Sequence, residues 1–205
     1  SFSNNVLDAI KNYEFYISEE KYKSSMKEIP KFALELFSQA AKEKYPDSSP
    51  ENGPWKISLD GPSIMPFLNH CPNEKLRKQV YLAFISKASS GKENNMPIMK
   101  QILNLKEERA HLLGYQNHVE VSLSEKMASN QDEIEKILND LTAKAKPYAQ
   151  NDLNELSNFM KKLHPTKENI ELWDISYYSE KLKESKYELK DEELKPYFPL
   201  DGVLK

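Results

Sequence analysis

Cysteine, arginine and glycine are scarce in this sequence of 205 residues. Cys71 is its single cysteine, which excludes an internal disulfide framework and fits a reducing compartment. Only two of the 29 basic residues are arginines, Arg77 and Arg109, so few bidentate contacts to a phosphate are available. The five glycines form neither a phosphate-cradling loop nor a dinucleotide fingerprint. These absences argue against a phosphate-binding function.

Long apolar runs and a strong net charge are also missing. No apolar run approaches the length of a membrane span, and no targeting segment is recognisable. The net charge of −3 argues against a protein that binds nucleic acid regardless of its sequence. We therefore expect neither a membrane nor a nucleic acid as a partner. We expect a cytoplasmic location, with an organellar one as the alternative.

What is present is helical periodicity, because apolar residues recur every three or four positions along most of the chain. Residues 55–59 are the exception, since apolar and polar residues alternate there as they do in a strand. Residues 46–54 are rich in proline and serine and indicate a loop. The sequence thus predicts a mainly α fold with at most a short strand or hairpin near 55–60. We expect N-terminal helices at 1–45, a connecting loop at 46–54 and a longer helical region at 55–205.

The longest predicted helix begins where Asn130 and Glu133 approximate a capping box. Its apolar positions continue to Leu163, with Pro147 between them, which predicts either one kinked helix or two abutting helices. Two further segments are not predicted to be helical. Residues 22–29 indicate a connector or a single turn, and residues 191–193 indicate an acidic turn.

Histidine spacing gives no metal site. A hydrolytic zinc site needs two or three converging imidazole or carboxylate ligands with one position left open. The four histidines, His70, His111, His118 and His164, include no pair in the His-Glu-x-x-His spacing. Gly114 interrupts the helix between His111 and His118. No nucleophile elbow is present, and the carboxylates suggest no particular acid/base pair. Residue spacing alone therefore reveals no complete active site.

An aromatic cluster lies in the last third of the chain, at Trp173, Tyr177 and Tyr178. Trp173 and Tyr177 are four residues apart, so on a helix they share a face. Asp174 would then be a first-turn carboxylate, stabilised by the helix dipole. Such a cluster can form the corner of a core or line a substrate groove. Core packing agrees better with the usual burial preferences, and the groove remains the alternative.

Eight short blocks and one single proline, all between residues 55 and 200, resemble a known family in their order and spacing, and the resemblance runs nearly from end to end of the chain. They are WKISLDGPS at 55–63 followed by Pro66, LR at 76–77, VY at 80–81, AS at 88–89, ILNLK at 102–106, AHLLGY at 110–115, WDISYYSEK at 173–181 and LKPYFPL at 194–200. The chain resembles the thimet-oligopeptidase family of zinc metallopeptidases, and within it the oligopeptidase A-like branch. It departs from the family at Lys106, where an arginine is common, and in the loop at 46–53.

The resemblance implies an almost wholly α-helical ellipsoid divided by a deep channel, with zinc at the channel floor. It also implies endopeptidase cleavage of short peptides. In the family, two histidines of His-Glu-x-x-His and a later glutamate hold zinc, and the glutamate of the motif activates the attacking water. No residue of this chain matches a zinc ligand or that glutamate. We therefore expect an internal fragment from upstream of the motif, without zinc and without activity of its own, whose substrate-channel candidates are Trp173, Tyr177 and Tyr178.

The ends of the sequence lead to a further expectation. The chain begins at Ser1 without an initiator methionine and ends at Lys205 in mid-pattern, so we expect a segment cut from a longer protein. The missing catalytic portion of the same chain would then be its partner. A surface uncovered by the cut would carry an apolar patch and promote self-association. The rival interpretation is a non-enzymatic helical protein-interaction module derived from such a peptidase.

Overall fold

The computed structural model describes residues 1–18, 20–188, 197–199 and 202. Within these ranges nearly all regular structure is helical, and the prediction of a mainly α fold is confirmed. The α-helices are α1 (Phe2–Lys11), α2 (Glu20–Met26), α3 (Lys31–Ala41), α4 (Gly61–His70), α5 (Glu74–Ile85), α6 (Met96–Leu112), α7 (His118–Leu123), α8 (Gln131–Leu163) and α9 (Ile175–Tyr187). The strands are β1 (Tyr16–Ile17) and β2 (Trp55–Lys56), and a 3₁₀ turn spans Gly91–Glu93.

The strand predicted near residues 55–60 is present as β2, and it is shorter than the alternating pattern. It pairs with β1 in an antiparallel register that places Tyr16 opposite Lys56 and Ile17 opposite Trp55. The backbone N–H of Ile57 donates to the carbonyl of Phe15 at 3.0 Å, which extends the pairing by one bond. The pairing therefore joins the segment that follows α1 to the segment that follows the loop at 46–54, and it does not form a local hairpin.

Two local predictions need correction or completion. The segment predicted as a connector at 22–29 lies largely in α2, which runs to Met26. Pro147 lies inside one continuous helix, α8, so the alternative of two abutting helices is wrong. A proline removes a single backbone donor, and the many turns of a 33-residue helix on either side keep the helix continuous. The acidic turn predicted at 191–193 lies outside the described residues.

Side-chain caps explain several of the helix starts. The backbone N–H of Glu133 donates to Asn130 Oδ1 at 3.0 Å, and the Glu133 carboxylate accepts from the N–H of Ser129 at 2.8 Å, close to the capping box that was predicted. At α5, Asn73 Oδ1 accepts from the N–H of Leu76 at 3.3 Å. At α4 the cap is Asp60, whose Oδ1 accepts from the N–H of Ser63 at 3.1 Å.

The described chain separates into two compact units. The first comprises 1–6 and 88–155, and the second comprises 7–87 and 156–205. In the first unit, α6 packs on α7, and the buried Asn95 binds the N-terminal segment. Its amide donates to the carbonyl of Phe2 at 3.0 Å and its Oδ1 accepts from Asn5 Nδ2 at 2.9 Å. The predicted loop boundary at 46–54 lies within the second unit, and that domain division stays a prediction.

The second unit contains the main hydrophobic core. There α3 packs on β2 and α4, and α4 packs on α5 and α9. The core comprises Ile17, Met26, Ile29, Ala33, Phe37, Trp55, Ile57, Ile64, Phe67, Leu68, Cys71, Leu76 and Val80. A second cluster joins the end of α8 to α9 through Leu156, Met160, Tyr177 and Tyr178. Helix α9 is therefore packed on two sides. This packing fixes the position of residues 173–178 at its N-terminus, which we call the aromatic segment.

Candidate functional site

Trp173 lies outside the helix on which it was expected. Helix α9 begins at Ile175, so Trp173 and Tyr177 do not share a helical face, and that prediction is wrong. Asp174 occupies the N-cap position, but its side chain makes no capping hydrogen bond. Its carboxylate is bound by cations from elsewhere in the second unit, and this explains why the predicted interaction with the helix dipole is not its main role.

Tyr177 and Tyr178 are both buried, with 6% and 2% of their surfaces exposed. Their ring centroids lie 5.2 Å apart at 76°, an edge-to-face arrangement that aromatic pairs prefer. The imidazole of His164 packs edge-on against Tyr178, 5.9 Å away. Burial raises the pKa of both phenols above the ordinary value. Within this unit the two tyrosines are packing residues, and a role in lining a substrate channel stays a prediction.

Trp173, in contrast, is partly exposed, and three side chains of helix α5 contact its indole ring. Its indole N–H donates to Glu74 Oε1 at 3.5 Å. The ammonium of Lys78 lies 4.6 Å from the ring centroid, within the range of a cation–π interaction. The ring of Tyr81 meets it edge-on at 6.4 Å. Of the three predicted site residues, Trp173 is the one that is not buried, and its role in lining a substrate channel stays a prediction.

Arg77 links the aromatic segment to the core by hydrogen bonds. Its side chain is 2% exposed, and each of its three nitrogens has a separate acceptor. Nη1 donates to the carbonyl of Cys71 at 2.7 Å, Nε to the carbonyl of Trp173 at 3.2 Å and Nη2 to Asp174 Oδ1 at 2.5 Å. The guanidinium also lies 4.3 Å from the ring centroid of Tyr177. A planar group with forked donors suits this arrangement, and a lysine ammonium does not.

The second oxygen of the fully buried Asp174 carboxylate completes the network. Asp174 Oδ2 accepts from Lys167 Nζ at 2.9 Å and from the N–H of Glu171 at 3.2 Å. Lys167 also contacts Glu74 Oε1 at 2.6 Å. Burial lowers the pKa of Lys167, but its hydrogen bonds to Glu74 and Asp174 outweigh that effect, so the pKa is raised. Two cations and two carboxylates therefore neutralise one another beside the aromatic cluster.

Arg77 and Lys167 were not among the predicted site residues, although Arg77 lies in one of the blocks that resemble the family. The available signal was composition, because Arg77 is one of only two arginines in a lysine-rich chain. An arginine retained in such a setting suggests a position that needs several fixed donors. Lys167 carried no comparable signal, since it is one lysine among many.

An open groove of about 570 Å³ lies elsewhere in the second unit. Phe32, Met65 and Pro66 supply apolar surface, and Glu28 and Lys181 lie among the charged residues that line it. Lys181 contacts the carboxylates of Glu28 at 3.2 Å and Glu184 at 3.4 Å, so the charges of the groove compensate one another. His70 also lines the groove, and burial lowers the pKa of its imidazole.

Zinc, which the resemblance implies, does not fit the residues present. In the described ranges, no group of three or more histidine, cysteine, aspartate or glutamate side chains could hold a metal ion. His70 lines the groove and His164 packs on Tyr178. His111 lies in α6, and His118 begins α7 beyond Gly114, which has a positive φ of 81°. No metal role is therefore assigned to a residue of this chain.

No helix in the described ranges is both long enough and apolar enough to cross a membrane.

Comparisons with known proteins agree with the resemblance. The model of peptidase family M3 matches residues 67–205. Organellar oligopeptidase A, chloroplastic/mitochondrial, of Arabidopsis thaliana is 42% identical over 99% of this chain and 25% of its own length. The probable cytosolic oligopeptidase A of the same plant is 42% identical over 99% of the chain and 29% of its length. Oligopeptidase A of Escherichia coli is 36% identical over 97% of the chain and 28% of its length.

The chain thus spans between 25% and 29% of the length of these relatives, while almost all of it is matched by them. The family match covers the last four residues of α4 and everything that follows it, including the Arg77 network and the aromatic segment. This chain belongs to peptidase family M3.

Proposed function

We propose that this chain is a non-catalytic helical portion of a zinc metalloendopeptidase that hydrolyses short peptides in a deep channel. One observation carries the proposal: relatives named oligopeptidase A match 97 to 99% of the chain, and the chain accounts for only 25 to 29% of their length. The lack of a metal-binding cluster in the described ranges is compatible with zinc chemistry in another part of the protein.

The substrates proposed are short unfolded peptides. A narrow walled channel admits such chains and excludes folded proteins, and aromatic walls can stack on peptide side chains. Trp173 would contact the peptide with its partly exposed ring, and the buried Tyr177 and Tyr178 would hold the wall behind it. The contribution of this chain is therefore binding and exclusion, with bond cleavage assigned to the catalytic portion.

The proposed partner of the first unit is that catalytic portion of the same protein. Large apolar side chains are exposed along α6 and α8 of this unit, and we call them the apolar faces: Met96, Met99, Ile102, Leu103, Leu105 and Leu112 on α6, and Ile137, Leu138, Leu141, Tyr148 and Leu153 on α8. All of them are exposed by 40% or more, which is unusual for so many large apolar side chains on two helices. A longer chain would cover these faces, and the isolated segment would use self-association as a substitute.

The names of the relatives do not point to a single compartment. One relative is named organellar and another cytosolic, so both compartments occur among similar proteins. We propose the cytoplasm for this protein, and a targeting experiment with a fluorescent fusion of the full reading frame would distinguish the two.

A helical interaction module without peptidase activity is the second candidate. The apolar faces favour it as well, because they would suit a separate protein partner. The two candidates differ in the remainder of the protein. The peptidase requires a reading frame that continues to His-Glu-x-x-His, and the module requires a defined partner and no hydrolysis.

The deciding experiment measures cleavage of a quenched fluorescent peptide by the segment and by the protein of the full reading frame, each with and without a chelator. The proposal predicts chelator-sensitive cleavage by the full protein and no cleavage by the segment. An inert full protein would favour the interaction module. Cleavage by the segment alone would contradict the non-catalytic assignment.

A further inference from the structure

The buried Arg77 donates hydrogen bonds to three acceptors around the aromatic segment, namely two backbone carbonyls and one carboxylate. It binds the carbonyl of Cys71 at the end of α4, the carbonyl of Trp173 and the carboxylate of Asp174. The first acceptor belongs to the rigid core, and the other two belong to consecutive residues before α9. The guanidinium therefore determines where the backbone of Trp173 lies relative to the core.

The ring of Trp173 lies on α5, the helix that carries Arg77. Glu74, Lys78 and Tyr81 contact this ring through a hydrogen bond, a cation–π contact and an edge-on aromatic contact. All three contacts require the Trp173 backbone to remain at its present distance from α5. Arg77 binds the backbone of Trp173 and thereby orients its indole. Trp173 itself remains partly exposed.

We propose that Arg77 is a positioning residue, which holds the Trp173 indole as a contact surface for an apolar or aromatic side chain of a bound peptide. This inference rests on the proposed function and deepens it, since it names one contact and the residue that sets its place. Trp173 touches the peptide, and Arg77 acts only through Trp173. Lysine cannot replace Arg77 in this role, because one ammonium group cannot serve three acceptors that lie around a planar guanidinium.

A double-mutant cycle on the protein of the full reading frame tests the proposal. The variants are Arg77→Lys, Trp173→Ala and the double substitution, and the substrates are two quenched peptides that differ only in a central phenylalanine or glycine. Arg77→Lys should lower kcat/KM for the phenylalanine peptide at least about tenfold, mainly through KM, because a contact displaced by about 1 Å loses most of its effect. The glycine peptide should change by less than about twofold.

In the Trp173→Ala background, Arg77→Lys should have almost no further effect on KM, because the residue through which it acts is gone. Additive losses would overturn the proposal, as would equal losses for the two peptides, since a purely structural role predicts both. The matched control is Arg109→Lys, the same change at the only other arginine, which is exposed on α6. It should leave both peptides unchanged.

Melting temperatures measured in parallel show whether Arg77→Lys remains folded. If it does not, Trp173→Ala and Trp173→Phe still decide the matter, because Trp173 is partly exposed and unchanged KM values in these variants would overturn the proposal. Inactivity of the unsubstituted full protein is a different result, because it contradicts the proposed function itself. If the full protein is active and the Trp173 variants have unchanged KM values, only the roles proposed for Trp173 and Arg77 are contradicted.

Discussion

Arg77 and Asp174 are 97 residues apart in the chain and meet as a buried ion pair, with Nη2 and Oδ1 separated by 2.5 Å. Both side chains are almost completely inaccessible, and the pair connects helix α5 to the N-terminus of α9. A buried pair need not be stabilising compared with an apolar one, but removal of one partner leaves a buried charge partly uncompensated. The pair therefore fixes the N-terminus of α9 against α5.

The first prediction concerns the stability that depends on this pair. Arg77→Met should lower the free energy of unfolding by about 3–5 kcal/mol, because Asp174 then loses its strongest donor while it remains buried. Adding Asp174→Asn should cost less than the sum of the two single changes, since the residues act as a unit. Urea unfolding followed by circular dichroism measures both effects, with Arg109→Met as the exposed control. A loss below about 1 kcal/mol for Arg77→Met would contradict the assigned role.

The second prediction concerns pH. Burial lowers the pKa of His70, an effect that Glu180 and Glu184 oppose and that Lys181 and Lys183 reinforce. A lowered pKa in the folded protein means that protons bind the unfolded chain more readily. The stability due to His70 is therefore complete above its unfolded pKa of about 6.5 and is lost as the pH falls towards the folded value.

The melting temperature should accordingly fall between pH 7.5 and pH 5.5, and His70→Asn should reduce that fall. The exposed His111→Asn in α6 serves as the matched control. An equal decrease in His70→Asn and the unsubstituted chain would show that another group controls this pH range.

The third prediction concerns the single thiol. Cys71 is fully buried, and burial raises its pKa to about 11. Since only the thiolate attacks a disulfide reagent, Ellman's reagent at pH 8 should react very slowly with the native chain. In concentrated urea the same chain should release one equivalent of thionitrobenzoate rapidly. Rapid reaction without urea would mean that the core around Cys71 opens readily.

The structure also indicates which features could be predicted from the sequence. The helix start at Asn130 and the helix end before Gly114 depend on residues within one or two turns, and both were predicted correctly. The pairing of Tyr16–Ile17 with Trp55–Lys56 was not, because a two-residue strand has no periodicity and its partner is about 40 residues distant. The start of α9 after Asp174 was also missed, since it depends on Arg77 and Lys167 from remote parts of the chain.

The fourth prediction concerns self-association of the isolated segment. Leu138 and Leu141 are each 56% exposed on α8, and an exposed apolar surface of this kind promotes association. Leu138→Lys together with Leu141→Lys should lower the mean particle size in concentrated solution. Asn139→Lys with Thr142→Lys adds the same charge at exposed polar positions of the same helix and should have little effect. A strictly monomeric unsubstituted segment in light scattering would contradict the prediction.

The division between a helical wall and a separate catalytic portion is tested most directly by the zinc content of the purified segment and of the full-reading-frame protein, measured side by side after dialysis against trace zinc. We predict bound zinc in the full protein and, because the described residues include no cluster that could hold a metal, only background zinc in the segment. Stoichiometric zinc in the segment, or none in the full protein, would contradict the division between a helical wall and a separate catalytic portion.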